Sequence, residues 1–406
     1  MANIKALIMC PTFPRFAGDS FGADFVFELT KALSQERVNV RVITAGDGSE
    51  KELKYDRKLK KDYNIDVKRF FYFRPIRFQK LAYRPGGIPV QIQKSLLSKL
   101  QLVFFMFSFF LRALPYSYKS DIIHCHWVFS MIPSFILKLL FGKKIILSVR
   151  ESNPKKINES YVLRSLLGKA DAIVSNNDSY FRQLLKSGAN RNDLYKILNG
   201  VNTAFKKKVV INDIHKKNIG DDDLLICSVG YLIDRKSPLE LFNSFKELKK
   251  KYGNLKIIYI GDGELAKVLK SLIISNNFEE DVLLAGVLLP NEICGWLNRS
   301  DLFCLYSKND GIANSVVEAM ACKVPVVTSD VGGFPEIIEN KYSGMIVPRG
   351  QPDKLTPAID YLLKNRARAQ KIGERGSLNL IKRGIDWRIN ARLHKKLYRR
   401  VLMNNV

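Results

Sequence analysis

The stretch YSKNDGIANSVVEAMACKVPVVTSDVGGFPE, residues 306–336, decides the architecture of this 406-residue chain. It closes an apolar run (LFCLY), passes through a polar loop with one acid and one glycine, and enters a short helical pattern. A second apolar run, VPVVTS, and a second glycine loop, VGG, follow. The unit sets a helix N-terminus beside two strand ends, where free backbone N–H groups and the helix dipole favour an anion. Asp310 and Glu318 bracket that N-terminus. With a helix start near Ile312, Glu318 lies roughly 9 Å along the axis at 1.5 Å per residue. Such a separation suits a ligand with a sugar at one end, a diphosphate in the middle and a ribose at the other.

Working upstream, the same alternation repeats. LLICSVG, a helical pattern from Pro238 to Lys250, LKIIYIGDGE, a helix, DVLLAG, a helix and DLFCLY lead into the opening unit. Four strand–helix alternations at this spacing predict a mainly parallel sheet covered on both faces. In such a sheet the loops at the carboxyl ends of the strands converge where ligands bind. Three of those loops are polar and glycine-bearing: Gly261-Asp262-Gly263-Glu264, Asp310-Gly311 and Gly332-Gly333. A fourth, VGYLIDRKSP at 229–238, places Arg235 and Lys236 just before a helix, where a cation and a helix N-terminus together would hold a diphosphate.

The amino-terminal half shows a second α/β series. IKALIM (4–9), NVRVIT (39–44), DVKRFFYF (66–73), DIIHCHWVFS (121–130), KKIILSV (143–149), DAIVS (171–175) and LYKILN (194–199) read as strands. The first is followed by a glycine-containing loop and the helical pattern ADFVFELTKALSQE, although no G-x-G-x-x-G is present. Between the series, AFKKKVVINDIHKKNIGDDD (204–223) has the charge runs of a linker. These readings divide the chain into domains at 1–204 and 205–385, with a last helix at 386–406.

Length and composition allow two domains with ordinary soluble cores. The charge balance is unusual: 66 Lys plus Arg against 39 Asp plus Glu gives +27, which argues for an anionic partner or surface. Residues 67–120 contain no Asp or Glu but ten Lys or Arg, interleaved with aromatics and with the run LVFFMFSFFL at 102–111. That ten-residue run falls short of the ~20 that cross a bilayer. A buried core helix and a surface in the headgroup region of an anionic membrane are both open for this run. Six cysteines without a C-x-x-C pair, mostly in apolar runs, read as buried free thiols rather than disulfides or zinc ligands. The N-terminus MANIKALIMC is too short, and too soon followed by Pro-Thr-Phe-Pro, to read as a secretory signal. His124 and His126 share one face of their strand. His124 reads as a satisfied core histidine, and His126, at the strand end, as the better candidate to face a ligand.

The ordered pieces NGVN (199–202), Gly230-Leu232-Lys236, IGDGE (260–264), Asp310 to Ala321, PVVTSDVGGFPEII (325–338) and SGMIVP (343–348) resemble the retaining GT-B glycosyltransferases of family 4, the glycosyl transferases group 1. The amino-terminal half resembles them more loosely, through Gly22, the FVxELxKAL helix and the HxHW strand end. The resemblance implies two Rossmann-like domains facing across a cleft, and a nucleotide-sugar donor held mainly by the C-terminal one. It implies Glu318 as the ribose-binding carboxylate and Asp310 as the first acid of an E-x7-E pair that contacts donor-sugar hydroxyls. Asp310 is one methylene shorter than the family's Glu. Lys236 matches the diphosphate lysine, and Tyr231 stands where the family often has Arg, a role Arg235 could take. The backbone N–H groups of Gly311, Ile312, Ala313 and Asn314 would hold diphosphate and sugar. His126 matches a histidine near the reacting sugar, and Gly22 would let the amino-terminal loop approach the donor phosphates. Catalytic roles thus fall on His126, Asp310 and Lys236, with no metal and no cofactor beyond the donor substrate.

The expectation is a metal-independent hexosyltransferase at the inner face of the cell membrane, acting on a lipid-linked saccharide or glycolipid in cell-surface polysaccharide synthesis. A glycosyltransferase on a soluble acceptor is the alternative, and a GT-B sugar epimerase a further one. A nucleic-acid-binding protein could also use the charge, but it would leave the strand-end loops without a purpose and no such motif is present.

Overall fold

The computed structural model describes residues 3–19, 22–84, 87–149, 161–201, 205, 219–220 and 222–403. The chain forms two compact units, Met1–Gly200 with Trp387–Val406, and Val201–Asp386. The tract 204–223, read as a linker, lies largely outside the described residues.

Among the described residues the first unit holds seven strands: β1 (Lys5–Met9), β2 (Asn39–Ala45), β3 (Asp66–Phe70), β4 (Ile122–His126), β5 (Lys144–Val149), β6 (Ala172–Ser175) and β7 (Leu194–Lys196). Their order is β3-β2-β1-β4-β5-β6-β7, and every neighbouring pair is parallel. Alternation along β1 explains why the strand is apolar throughout. Leu7 and Met9 enter one core and Ala6 and Ile8 the other, so the sheet is buried on both faces. One core is built on helix Leu96–Ser117, whose Phe105 and Phe109 pack on Phe70. The other is built on helices Asp24–Gln35 and Trp387–Met403. The last helix is fastened there by Arg388 and Arg392 on Glu36 and by Asn390 Nδ2 donating to the Leu198 carbonyl.

The second unit holds β8 (Leu224–Val229), β9 (Leu255–Ile260), β10 (Val282–Gly286), β11 (Leu302–Leu305), β12 (Val326–Ser329) and β13 (Met345–Val347). The order is β10-β9-β8-β11-β12-β13, again parallel throughout. Strand order reverses between β8 and β11, which makes the crevice at their carboxyl ends the topological switch point. The fold is therefore mixed α/β with two parallel-sheet, Rossmann-like domains, as the sequence leads one to expect.

Several details differ from the sequence reading. The apolar run 102–111 is the middle of a 22-residue helix that is part core and part surface. Helices Glu50–Tyr63 and Met131–Phe141 and the three-residue β13 had not been separated from their surroundings. Cys10, Cys125, Cys227, Cys294 and Cys304 are buried free thiols and Cys322 is partly buried, as their apolar neighbours require.

The basic tract is not uniform either. Arg69, on β3, is buried. Its guanidinium makes two 2.8 Å bonds to Asp56 and donates to the carbonyls of Pro14, Phe13 and Ala45. Glu52, also buried, lies 3.4 Å away and accepts from the N–H groups of Asp47 and Gly48. This cluster braces the loop after β1 against the loop after β2. Arg69→Met would leave two carboxylates without their cation, so we expect a stability loss of ~3–5 kcal/mol, read as a lowered urea midpoint.

Candidate functional site

The site is assembled at the carboxyl ends of β8, β9, β11 and β12. After β8 the chain turns at Gly230, forms a single 3-10 turn Asp234–Lys236, and starts helix Pro238–Lys249. After β11 it runs through Ser307–Ala313 into helix Asn314–Ala321. The two loops meet directly. The Lys308 N–H donates to the Arg235 carbonyl at 2.9 Å, and the Lys236 ammonium pairs with the Asp310 carboxylate. Arg235 donates to the Asn309 carbonyl at 2.9 Å and reaches Asp310 Oδ1 at 3.5 Å.

Glycine permits the remaining contacts. Gly332 has φ +58, and a Cβ there would stand 2.1 Å from the Asp310 carbonyl oxygen. Its neighbour Gly333 donates to the Gly311 carbonyl at 2.9 Å, so the VGG loop is the floor under the acid loop. Gly261, at φ +139, is pressed against the Gly230 carbonyl in the same way. Gly332→Ala combines a left-handed φ with a backbone clash. The expected outcome is a loss of ~1–3 kcal/mol in unfolding free energy together with weakened donor binding, measured by denaturation and by nucleotide titration.

Electrostatics at Lys236 and Asp310 follow from burial and pairing. Burial pulls the Lys236 ammonium below its ordinary value; Asp310 opposes this and the Arg235 cation adds to it. Burial would raise the Asp310 carboxyl, but the charges of Lys236 and Arg235, with hydrogen bonds from Lys236 and the Gly311 N–H, outweigh it and hold the group below the usual carboxylate range. The acid is therefore ionised at neutral pH, and the Lys236 ammonium is a stronger acid than that of an ordinary lysine.

The helix begins at Asn314, two residues later than its sequence pattern indicates, with Ala313 as its N-terminal boundary and no side-chain cap. Glu318 consequently sits about 6 Å along the axis, one turn from the N-terminus. The expected set of four donors is also reduced. The Gly311 N–H is taken by Asp310 Oδ1 at 3.0 Å. Those of Ile312, Ala313 and Asn314 meet no acceptor among the described residues. Arg235, Lys236, Asp310, Gly311, Ile312, Ala313, Asn314 and Glu318 are thus all on two loops and one helix of the second unit.

Gly22 and His126 belong to the first unit. Gly22 follows the β1 loop, and a Cβ there would stand 2.7 Å from Pro14 Cα. The Arg15 side chain ties that loop to Asp19 and Asp47, each at 2.7 Å. His126 is fully buried at the end of β4, with its ring stacked 4.4 Å from that of His124. His124 is the satisfied core histidine its position predicts, with Tyr398 Oη at 2.7 Å on Nδ1 and Ser148 Oγ at 2.8 Å on Nε2. Sequence reasoning gave no role to Tyr398 or His394, whose ring stacks 5.4 Å from His124 on its way to the same column. Among the described residues no group of three or more His, Cys, Asp and Glu is placed to hold a metal ion.

Comparison with known proteins agrees with this geometry. Residues 23–205 match Glycosyltransferase Family 4, and residues 210–378 match Glycosyl transferases group 1. An uncharacterized glycosyltransferase of Methanocaldococcus jannaschii, MJ1178, is 27% identical over 264 residues, covering 63% of this chain and 69% of that protein. The N-acetylgalactosamine-N,N'-diacetylbacillosaminyl-diphospho-undecaprenol 4-alpha-N-acetylgalactosaminyltransferase of Campylobacter jejuni is 27% identical over 264 residues, covering 60% of this chain and 68% of that one. Neither relative is matched over its whole length. Among solved structures, HepE of Anabaena in complex with UDP-glucose superposes with a TM-score of 0.74 at 17% identity, covering 97% of this chain and 99% of that chain. With both halves matched and both sheets of the expected type, the chain belongs to the GT-B glycosyltransferases.

Proposed function

We propose that the protein transfers a hexosyl group, with retention of configuration, from a nucleotide-diphosphate sugar to a lipid-linked saccharide or glycolipid in cell-surface polysaccharide synthesis. The observation that carries this reading is the Arg235–Lys236–Asp310 cluster beside the open N–H groups of Ile312, Ala313 and Asn314 at the switch point. Two cations and a helix N-terminus at one strand edge match a diphosphate in charge and size. The UDP-glucose carried by the HepE structure supports this choice of donor class. The diphospho-undecaprenol in the name of the Campylobacter relative supports a lipid-linked acceptor. The enzyme would work at the inner face of the cell membrane.

Asp310 pairs with Lys236. A donor diphosphate would draw Lys236 away, because two phosphoryl groups offer more charge than one carboxylate. Asp310 would then be released to accept hydrogen bonds from sugar hydroxyls, so one pair serves as a placeholder before binding and as two separate contacts afterwards. As the glycosidic C–O bond breaks, the negative charge grows on the leaving phosphate oxygen. Lys236, Arg235 and the helix N-terminus face that charge and stabilise it, which leaves no step that needs a bound metal. The leaving phosphate would receive the acceptor hydroxyl proton. Glu318, one turn along the helix, would take the ribose hydroxyls.

A panel of nucleotide sugars tested against polyprenyl-diphosphate-linked saccharides is the experiment of choice. One donor should give a product with the anomeric configuration of the donor sugar. Inverted product would overturn the retaining mechanism, and transfer to soluble sugars alone would overturn the lipid-linked acceptor.

A further inference from the structure

Helix Leu96–Ser117 uses only one side in the core. Phe105, Phe109 and Ala113 are fully buried there. The opposite side presents Leu96 (82% exposed), Leu100, Val103 (66%), Phe104, Phe107 (59%) and Leu111 to solvent. Steps of three and four residues keep these side chains on one stripe roughly 22 Å long. Helix Met131–Phe141 packs alongside and widens it with Ile136, Leu139 (69% exposed) and Leu140. A contiguous apolar surface of this extent is uncommon on a protein that faces only water.

Charge selects what covers it. Lys99 and Arg112 leave the helix on opposite flanks of the stripe, and Lys94 and Lys119 lie beyond its two ends; all four are exposed. No carboxylate occurs anywhere in residues 67–120 to balance them. A surface for another folded protein would mix signs around its rim, whereas basic side chains flanking an apolar stripe, with no carboxylate on the same helix, complement acyl chains under anionic headgroups. Geometry fixes the orientation. The helix is long and apolar enough to cross a bilayer, but its other face is fastened to the sheet through Phe70 and Tyr72. It can therefore only lie flat, with the stripe at the acyl boundary and the lysines at headgroup depth.

We propose that the outward face of helices Leu96–Ser117 and Met131–Phe141 docks the first unit onto an anionic lipid bilayer. This deepens, and rests on, the reading of a membrane-borne acceptor. It turns a general affinity for anions into a defined plane of contact.

The test is flotation of the full chain with phosphatidylglycerol-containing phosphatidylcholine vesicles. The wild type should float at low salt and keep part of its binding at high salt, since apolar contact survives screening. Val103→Ser/Phe107→Ser/Leu139→Ser should lower partitioning at least about tenfold without lowering the thermal midpoint, because all three side chains are exposed. Lys99→Glu/Arg112→Glu should lower it comparably and only on anionic vesicles. Failure of the wild type to float at low salt, or equal flotation of the serine variant, would overturn the proposal. So would a wild-type dimer that the serine variant dissociates, since a second copy would then cover the face. Transfer to a detergent-solubilised lipid-linked acceptor reads the acceptor separately. Retained transfer by a serine variant that no longer floats is the expected result. No transfer in detergent with flotation intact would remove the acceptor reading and leave the docking surface standing.

Discussion

Lys236→Ala should lower donor-dependent turnover by about 10²–10³-fold, with the larger share in kcat. On the proposed function the lysine would meet charge that develops as the diphosphate departs, so its contribution would be greater in the transition state than in the bound ground state. It is also the group nearest Asp310, and its loss leaves that buried carboxylate with one cation among the described residues, Arg235 at 3.5 Å, beside the Gly311 N–H and the Ser307 hydroxyl. A thermal scan separates the two consequences: a lower midpoint reports the orphaned acid, whereas the kcat loss persists at temperatures where the variant is folded. Protonation gives a second signature. Burial and the Arg235 cation hold the Lys236 ammonium below the ordinary 10.5 despite Asp310. The active, protonated form is present below that lowered value and is lost as pH rises through it. The alkaline limb of kcat/KM should therefore fall earlier than an ordinary lysine would give. In Arg235→Gln the like charge is gone, so the limb should move to higher pH.

Glu318→Ala is the second large effect, and its signature is different. A carboxylate that accepts from ribose hydroxyls contributes about 1.5–3 kcal/mol, or roughly 10- to 100-fold. The contact would be made both before and during the reaction, so the loss should appear mainly in donor KM. The position supports the assignment: Glu318 is partly buried one turn into helix Asn314–Ala321, between Val317 and Ala319, both of which are buried. Glu318→Gln, which keeps the shape and one acceptor oxygen, should lose less than Ala. Equal losses in the two variants would point to packing.

The second unit was legible because its physics is local. Five of its strands are short apolar runs, and in the loops after β9 and β12 Gly261 and Gly332 each allow a close backbone approach. The acid loop, the cation loop and their order along the sheet follow from that pattern and the switch-point rule. What stayed hidden were the contacts between loops. Nothing in the spacing of Lys236 and Asp310, 74 residues apart, states that they form a pair. Nor does the pattern indicate that the Gly311 N–H is spent on Asp310 Oδ1, which leaves three open donors where four were expected. β13 was missed because MIV is three residues long and shows no period.

The first unit was read less completely for a different reason. LVFFMFSFFL is apolar at every position but one, so its helical period is invisible in the sequence. Only the structure divides it into Phe105 and Phe109 in the core and Val103, Phe104 and Phe107 outside. The ten cations of residues 67–120 likewise look equivalent as letters. Arg69 is nevertheless a buried brace for the β1 and β2 loops, while Lys99 and Arg112 are surface charges. The column of His124, His126, His394 and Tyr398 joins residues more than 260 positions apart, a distance along the chain that no local pattern spans.

On the proposed function the second unit holds a nucleotide-diphosphate sugar between Lys236 and Glu318. The most direct test is release of nucleoside diphosphate from a panel of nucleotide sugars by the purified chain, run beside Lys236→Ala and Glu318→Ala. The expected result is release from at least one donor, a kcat loss in the lysine variant and a KM increase in the glutamate variant. Release that is unchanged in Glu318→Ala, or absent with every donor, would contradict it.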